Sequence, residues 1–246
     1  KAEGTVIIAV PDDSIAAVTA TLALSGVSWT GRDVFHTSGM LTSGALIPLA
    51  NRGARVASLH PVQSFPRKDL PASIFKGITW GIDGDRKAVK AAAAIARALG
   101  GRVLLLGERT FGPDASLRDL YAIHKKKRRY HAACVLASNA LVALEWTAVE
   151  VLRSAGVSEE DAVRTLLPLA QVTLQNVKSL GPEKALTGPI ARGDIYTVRE
   201  HLIALRSDPT ARQTYKALGR QTLRLATARG LPPGTVRALK RLLSGR

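Results

Sequence analysis

The chain has one cysteine, Cys134, in 246 residues. A lone cysteine excludes an intrachain disulfide and a thiolate metal site, and it is compatible with a reducing compartment. No His/Cys/Asp/Glu spacing points to a metal, so none is expected. No uninterrupted apolar run reaches the ~18 residues that a membrane helix needs, and Ala91–Ala98 reads as alanine-rich helix. No secretory signal is legible, so a cytoplasmic, membrane-free protein is expected. Acidic residues are scarce, with 19 Asp and Glu against 35 Lys and Arg. Most telling, Gly-x-Gly-x-x-Gly occurs nowhere, and neither does the shorter Gly-x-Gly. That motif lets a helix N-terminus approach a pyrophosphate closely.

The hydrophobic fraction is 46%, which marks a globular chain rather than a disordered one. The charge is uneven. Residues 1–123 hold 14 Lys and Arg against 10 Asp and Glu, whereas residues 124–246 hold 21 against 9. A basic half fits nucleic acid, anionic lipid or anionic metabolites. It also fits a soluble protein whose charge is balanced by further sequence upstream.

The first hundred residues alternate strand and helix. Strands are expected at Val6–Val10, Asp33–His36, Arg55–Leu59, Gly77–Gly81 and Arg102–Leu106. Helices are expected at Asp13–Ser25, capped by Asp12 or Asp13, at Leu46–Arg52, closed by Gly53, and at Arg86–Leu99. Such spacing implies a parallel sheet covered on both faces. After Asp114 only helices are expected: Tyr130–Arg153, then Glu159–Ser179 capped by Ser158, Asp194–Leu205, Pro209–Arg229 and Pro233–Leu243. The fold class is therefore an α/β part, residues 1–112, followed by an all-α part, residues 113–246. The α/β part reads as a Rossmann-like parallel sheet lacking its first strands.

Ligands of open α/β sheets bind outside the carboxyl ends of the strands. Polar residues gather there: Val10-Pro11-Asp12-Asp13 after the first strand, His36-Thr37-Ser38-Gly39 after the second, and His60-Pro61-Val62-Gln63-Ser64 after the third. The segments VPDDSI, HTSG, HPVQSF, YHAACVLASN and ALTGPIARGD, in that order, resemble a family of Rossmann-like NAD(P)-dependent oxidoreductases with a C-terminal helical domain of unknown function. Its wider relatives include ketopantoate reductase, the 3-hydroxyisobutyrate and 6-phosphogluconate dehydrogenases, and pyrroline-5-carboxylate reductase.

The resemblance implies that the first strand here corresponds to the fourth of a nucleotide-binding domain, with the third that carries the phosphate loop ahead of Lys1. It implies NADP or NAD as cofactor, with NADP favoured. Val10, Pro11 and Ile15 would line the dinucleotide, and Ser38 and Gly39 would lie near the nicotinamide. His60 and Ser64 would form the substrate side. In the relatives a Lys and an Asn polarise the substrate oxygen; here His131 stands for the Lys as proton donor, and Asn139 orients the substrate. On a continuous helix Ser138 falls ~20° and Asn139 ~80° from His131. Thr187 and Arg192, in the stiff Gly181–Asp194 connection, are further substrate contacts, and Asp194 is the cap of the next helix. The relatives dimerise through the helical domain, so a homodimer is expected.

Lys125-Lys126-Lys127-Arg128-Arg129 precedes the Tyr130 helix. It reads as a solvated loop, an anion site or a nucleic-acid contact. Only Tyr121 and Tyr130 are near it, so base stacking is poorly supported. Two functions remain. One is hydride transfer to or from a small carbonyl, hydroxy acid or imine in the cleft between the domains. The other is a degenerate Rossmann scaffold that binds nucleic acid or a ribonucleoprotein or is structural; an apparent oxidoreductase serving as a metabolite sensor or obligate dimer partner lies between the two.

Overall fold

The computed structural model describes residues 4–67, 69–109 and 117–245. The chain divides into two compact units, Lys1–Ser138 and Asn139–Arg246. The boundary expected at 112/113 lies outside the described residues.

The first unit is built on a five-stranded sheet of order β1 (Thr5–Ile8), β2 (Asp33–His36), β3 (Arg55–Pro61), β4 (Thr79–Asp85) and β5 (Arg102–Arg109). The parallel expectation holds for β1 with β2, β2 with β3 and β4 with β5, but β3 and β4 are antiparallel. The reason is local. A parallel return needs a crossover, usually a helix. Pro66 and Pro71 break the chain after β3, which makes only a short 3-10 turn, Ala72–Phe75, before re-entering beside Pro61.

Both faces of the sheet are covered. On one, Phe35, Ala57, Leu59, Trp80 and Ile82 pack under the alanine face of α3 (Arg86–Ala98). Asp85 starts that helix by accepting the Lys87 and Ala88 amides at 3.0 and 2.9 Å, and its other oxygen takes the Val56 amide at 2.6 Å. On the other face, Ile8, Val34 and Val56 pack against Ile15 of α1 (Ile15–Ala23) and Leu49 of α2 (Ile47–Ala50). No side chain caps α1; Asp12–Ser14 form a 3-10 turn before it, and Asp13 accepts the Ser14 hydroxyl instead. The unit closes with α4 (Leu117–Ala137).

The second unit is all helical: α5 (Asn139–Ser154), α6 (Glu159–Ala185), α7 (Pro189–Arg192), α8 (Ile195–Ala204), α9 (Pro209–Ala228) and α10 (Pro233–Ser244). Ser158, Asp194 and Asp208 cap α6, α8 and α9, accepting the amides of Asp161, Thr197 and Ala211. The helix expected as one piece from Tyr130 to Arg153 is two, since α4 ends at Ala137 and α5 starts at Asn139. The connection expected from Gly181 is largely helical: α6 kinks at Gly181, where φ is 78°, and runs on to Ala185. The core of the unit is Ile190, Val198, Leu202, Leu223, Leu239 and Leu243.

Among the described residues one stretch, Tyr121–Ser154, taken across α4 and α5, has the length and apolarity to cross a membrane by composition alone, with a window of mean hydropathy 1.5 that is 6% buried. No unbroken apolar run is present there, because Ser138 and Asn139 interrupt it; alanine, valine and leucine outweigh them in the average.

Candidate functional site

Alternation along a strand sends every second side chain to the same face. On β3 this places Ser58 and His60 together, and on β4 Gly81 and Asp83. The register sets Ser58 opposite Asp83 and His60 opposite Gly81, and His36 of β2 stands beside Ser58. Two polar rows thus cross the sheet, about two residues apart.

Helix α4 supplies a partner for each row. Lys127 is fully buried; its Nζ lies 2.8 Å from Asp83 Oδ2 and donates to Ser58 Oγ. The other carboxylate oxygen of Asp83 accepts the amide and the hydroxyl of Ser43, both at 2.8 Å. Burial alone would raise the Asp83 pKa, but Lys127 and Ser43 together hold it below the ordinary value. The basic run is therefore not a solvated loop. It lies inside α4, and its central lysine is an interior ion pair, while Lys125, Arg128 and Arg129 line an open groove of about 310 Å³ with Tyr121 and His124.

One turn further, Tyr130 and His131 reach the second row. The Tyr130 hydroxyl is 2.7 Å from His60 Nδ1, and the rings meet edge to face with centroids 5.6 Å apart. The His131 ring approaches His60 edge-on at 6.0 Å. Glycine is needed at two places around them. A Cβ on Gly81 would overlap the Tyr130 ring, and one on Gly39 would sit 2.7 Å from His60 Nε2 and collide with the His131 ring. Gly39 thus forms the floor on which both imidazoles converge, at the carboxyl end of β2.

Protonation states follow from burial. The His60 pKa is lowered to about 4, by desolvation first and then by the Lys127 and His131 charges. His60 is thus neutral near pH 7. Burial pushes the Tyr130 hydroxyl up, with Cys134 adding to the effect, so Tyr130 keeps its proton. When that proton is donated to His60 Nδ1, the imidazole proton stays on Nε2, the atom beside Gly39. His36 is also lowered to about 4, mainly by burial. Its Nδ1 accepts the Ser38 amide at 3.2 Å, which leaves Nε2 to donate to the Thr42 carbonyl at 3.0 Å. A neutral ring meets both needs.

The other expected residues divide. Ser38 stands next to Gly39, but its hydroxyl is committed to the turn, accepting the Met40 and Leu41 amides. Val10 packs against the α1–α2 core, Pro11 is exposed just past β1, and Ile15 is wholly buried in that core. Its expected contact with a dinucleotide thus has no exposed side-chain surface to be made from. Ser64 is exposed in the loop after β3, and its amide donates to Gln63 Oε1. Ser138 is exposed at the end of α4, and the angular argument joining Asn139 to His131 fails because the helix ends between them. Asn139, Thr187 and Arg192 are exposed residues of the second unit.

Tyr130, Lys127, Asp83 and His36 were not among the expected site residues. A signal was present for α4: Ile123, Lys127, Tyr130 and Cys134 recur at helical spacing, and Ile123 and Lys127 are buried. Among the described residues no cluster of His, Cys, Asp and Glu could hold a metal ion.

Comparison with known proteins agrees with this architecture. Residues 1–61 match the model of the Rossmann-like domain, and residues 116–222 match a domain of unknown function, DUF2520. The fold is similar to that of protein TM1727 from Thermotoga maritima, with 25% identity and a TM-score of 0.72 over 93% of this chain and 81% of that one. It is also similar to protein BF3122 from Bacteroides fragilis, provisionally described as an NADP oxidoreductase, with 21% identity and a TM-score of 0.67 over 89% and 75%. A reductive aminase from Aspergillus terreus, solved with NADPH and ethyl levulinate, aligns over 93% and 75% with 20% identity and a TM-score of 0.56. No curated protein sequence matches the chain significantly.

Proposed function

We propose that this chain, which matches the Rossmann-like and DUF2520 models, is an NAD(P)-dependent oxidoreductase acting on a small carbonyl, hydroxy acid or imine. The observation that carries this reading is the convergence of His60, Tyr130 and His131 on Gly39 at the carboxyl end of a Rossmann-like sheet. Solved structures of the same fold include a protein described as an NADP oxidoreductase and a reductive aminase with NADPH bound, which supports NADP as the favoured cofactor.

The residues fit the nicotinamide end of such a cofactor. Pro11 follows β1, and Ser38 and Gly39 follow β2, so they stand at the carboxyl ends of adjacent parallel strands, where a nicotinamide would lie. Val10 supports the turn from below. The nicotinamide, when bound, supplies or accepts the hydride.

The chain's own groups handle the proton and the substrate. His131, partly exposed beside Gly39, gives a proton to the reduced oxygen or nitrogen, or takes one in the reverse direction. His60, neutral and held by Tyr130, presents its Nε2–H to the same atom and fixes it. Ser64, Ser138, Asn139, Thr187 and Arg192 are not drawn into this reading.

The assay is consumption of NADPH with a panel of small ketones, 2-oxo acids and imines. Replacing His131 with Ala lowers kcat by ~10²-fold or more and leaves NADPH affinity nearly unchanged. Undiminished turnover in that variant overturns the assignment of the proton donor.

A homodimer through the second unit is part of the same proposal. Val142 and Trp146 of α5 and Leu167, Leu169, Val172 and Leu180 of α6 are each about half exposed or more. Apolar surface of that extent on packed helices suits a second copy of the chain.

A further inference from the structure

From Pro209 to the C-terminus, 38 residues, the sequence holds nine Lys and Arg and not one Asp or Glu. The segment folds as α9 and α10, and a cavity of about 650 Å³ opens along the two helices. Its lining includes the apolar Leu223 and Val236 and the cationic Arg220, Arg224 and Lys240. A second cavity, of about 380 Å³, shares Lys240 and adds Arg237 and Arg241.

Not all of these cations are free for a ligand. Arg220 donates to the Leu243 carbonyl at 2.9 Å, and Lys216 donates to that of Gly245, so these two tie down the end of α10. Arg224 and Lys240 are exposed and form no ion pair with a described acidic residue; Arg224 donates one hydrogen bond, to Gln221 Oε1 at 3.1 Å, on the surface of α9. Like charges four apart on a helix repel, and Arg220 and Arg224 are so spaced. An anion seated among them would offset that repulsion.

The shape selects the kind of anion. A lipid surface needs apolar side chains that project, and in the α9–α10 segment only Leu218 is a large exposed one. A single-stranded nucleic acid needs aromatic platforms. The only aromatic residue of the segment, Tyr215, is instead hydrogen-bonded to His201 at 3.0 Å. A concave pocket of this size, lined by apolar and cationic side chains together, suits a small molecule.

We propose that the α9–α10 cavity binds a small amphiphilic anion, an organic phosphate or carboxylate whose apolar body lies on Leu223 and Val236 and whose charged group lies between Arg224 and Lys240. The site is confined to the second unit and does not depend on the oxidoreductase reading.

The test is calorimetric titration of the full chain with decyl phosphate below its micelle concentration, with inorganic phosphate and decanol as separate probes. Decyl phosphate binds at one site per chain, more weakly as salt is raised, and much more tightly than either probe alone. The double variant Arg224→Gln, Lys240→Gln loses at least ~10-fold in affinity, as expected for two charge-assisted contacts, and keeps the wild-type unfolding midpoint. Three results overturn the proposal. Inorganic phosphate binding as tightly as decyl phosphate would mean a bare charge patch. Decanol binding as tightly would mean a merely apolar surface. Decyl phosphate binding unchanged in the double variant would place the ligand elsewhere.

Discussion

Lys127 Nζ lies 2.8 Å from Asp83 Oδ2, and both side chains are wholly buried. The pair joins α4 to the centre of the sheet. Removing one partner strands a charge in the interior, at a cost of ~3–5 kcal/mol. Lys127→Met is therefore strongly destabilising in urea denaturation, and Lys127→Met combined with Asp83→Leu recovers much of the loss. A single variant as stable as the wild type would contradict the pairing.

Stability also depends on pH through His36. In the unfolded chain it takes up a proton near pH 6.5, whereas in the folded protein it stays neutral down to about 4. Between those values the unfolded state binds more protons, so stability falls as pH falls from about 6.5 to about 4. The loss from His36 is at most ~3 kcal/mol. His60 shifts in the same direction, also to about 4, and adds to the loss. Asp83, held low by Lys127, remains ionised through this window and does not offset it. Unfolding midpoints at pH 7, 6, 5 and 4 check this; a midpoint constant from 7 to 4 would refute it.

Gly39→Ala places a methyl group 2.7 Å from His60 Nε2 and against the His131 ring. Both imidazoles must shift. Turnover then drops by at least ~10-fold, because misplacing reacting groups by about 1 Å is costly. Steady-state kinetics beside a melting curve separate this effect from misfolding.

Tyr130→Phe removes the hydroxyl that holds His60 Nδ1. Leaving that buried acceptor unpaired costs ~1–3 kcal/mol of stability. Because Tyr130 positions His60 and does not itself meet the substrate, kcat falls while NADPH affinity stays close to the wild-type value. A change in NADPH affinity alone would contradict this role.

Much of the fold is legible in the amino-acid order. Strand-and-helix alternation locates all five strands to within a few residues, and Ser158 and Asp194 cap the helices that their sequence context marks. The antiparallel β4 is not legible from alternation, because strand direction is set by the geometry of the connection; only the prolines after β3 hint at it. His60, Ser38 and Gly39 can be found at strand ends. The α4 contribution cannot be found as easily. Five consecutive cations look like solvated surface, and nothing local shows that Lys127 faces Asp83, 44 positions earlier. The partnership exists only once β4 stands beside β3 and the helix lies on them. Tyr130 is hidden for a similar reason: its meaning depends on Gly81, which leaves room for its ring.

The proposed chemistry depends on nicotinamide binding. Titration of the full-length protein with NADPH and with NADH, followed by nicotinamide fluorescence, tests it most directly. Saturable binding of NADPH, tighter than that of NADH and weakened by Gly39→Ala, is the expected result. Binding of neither dinucleotide would contradict it.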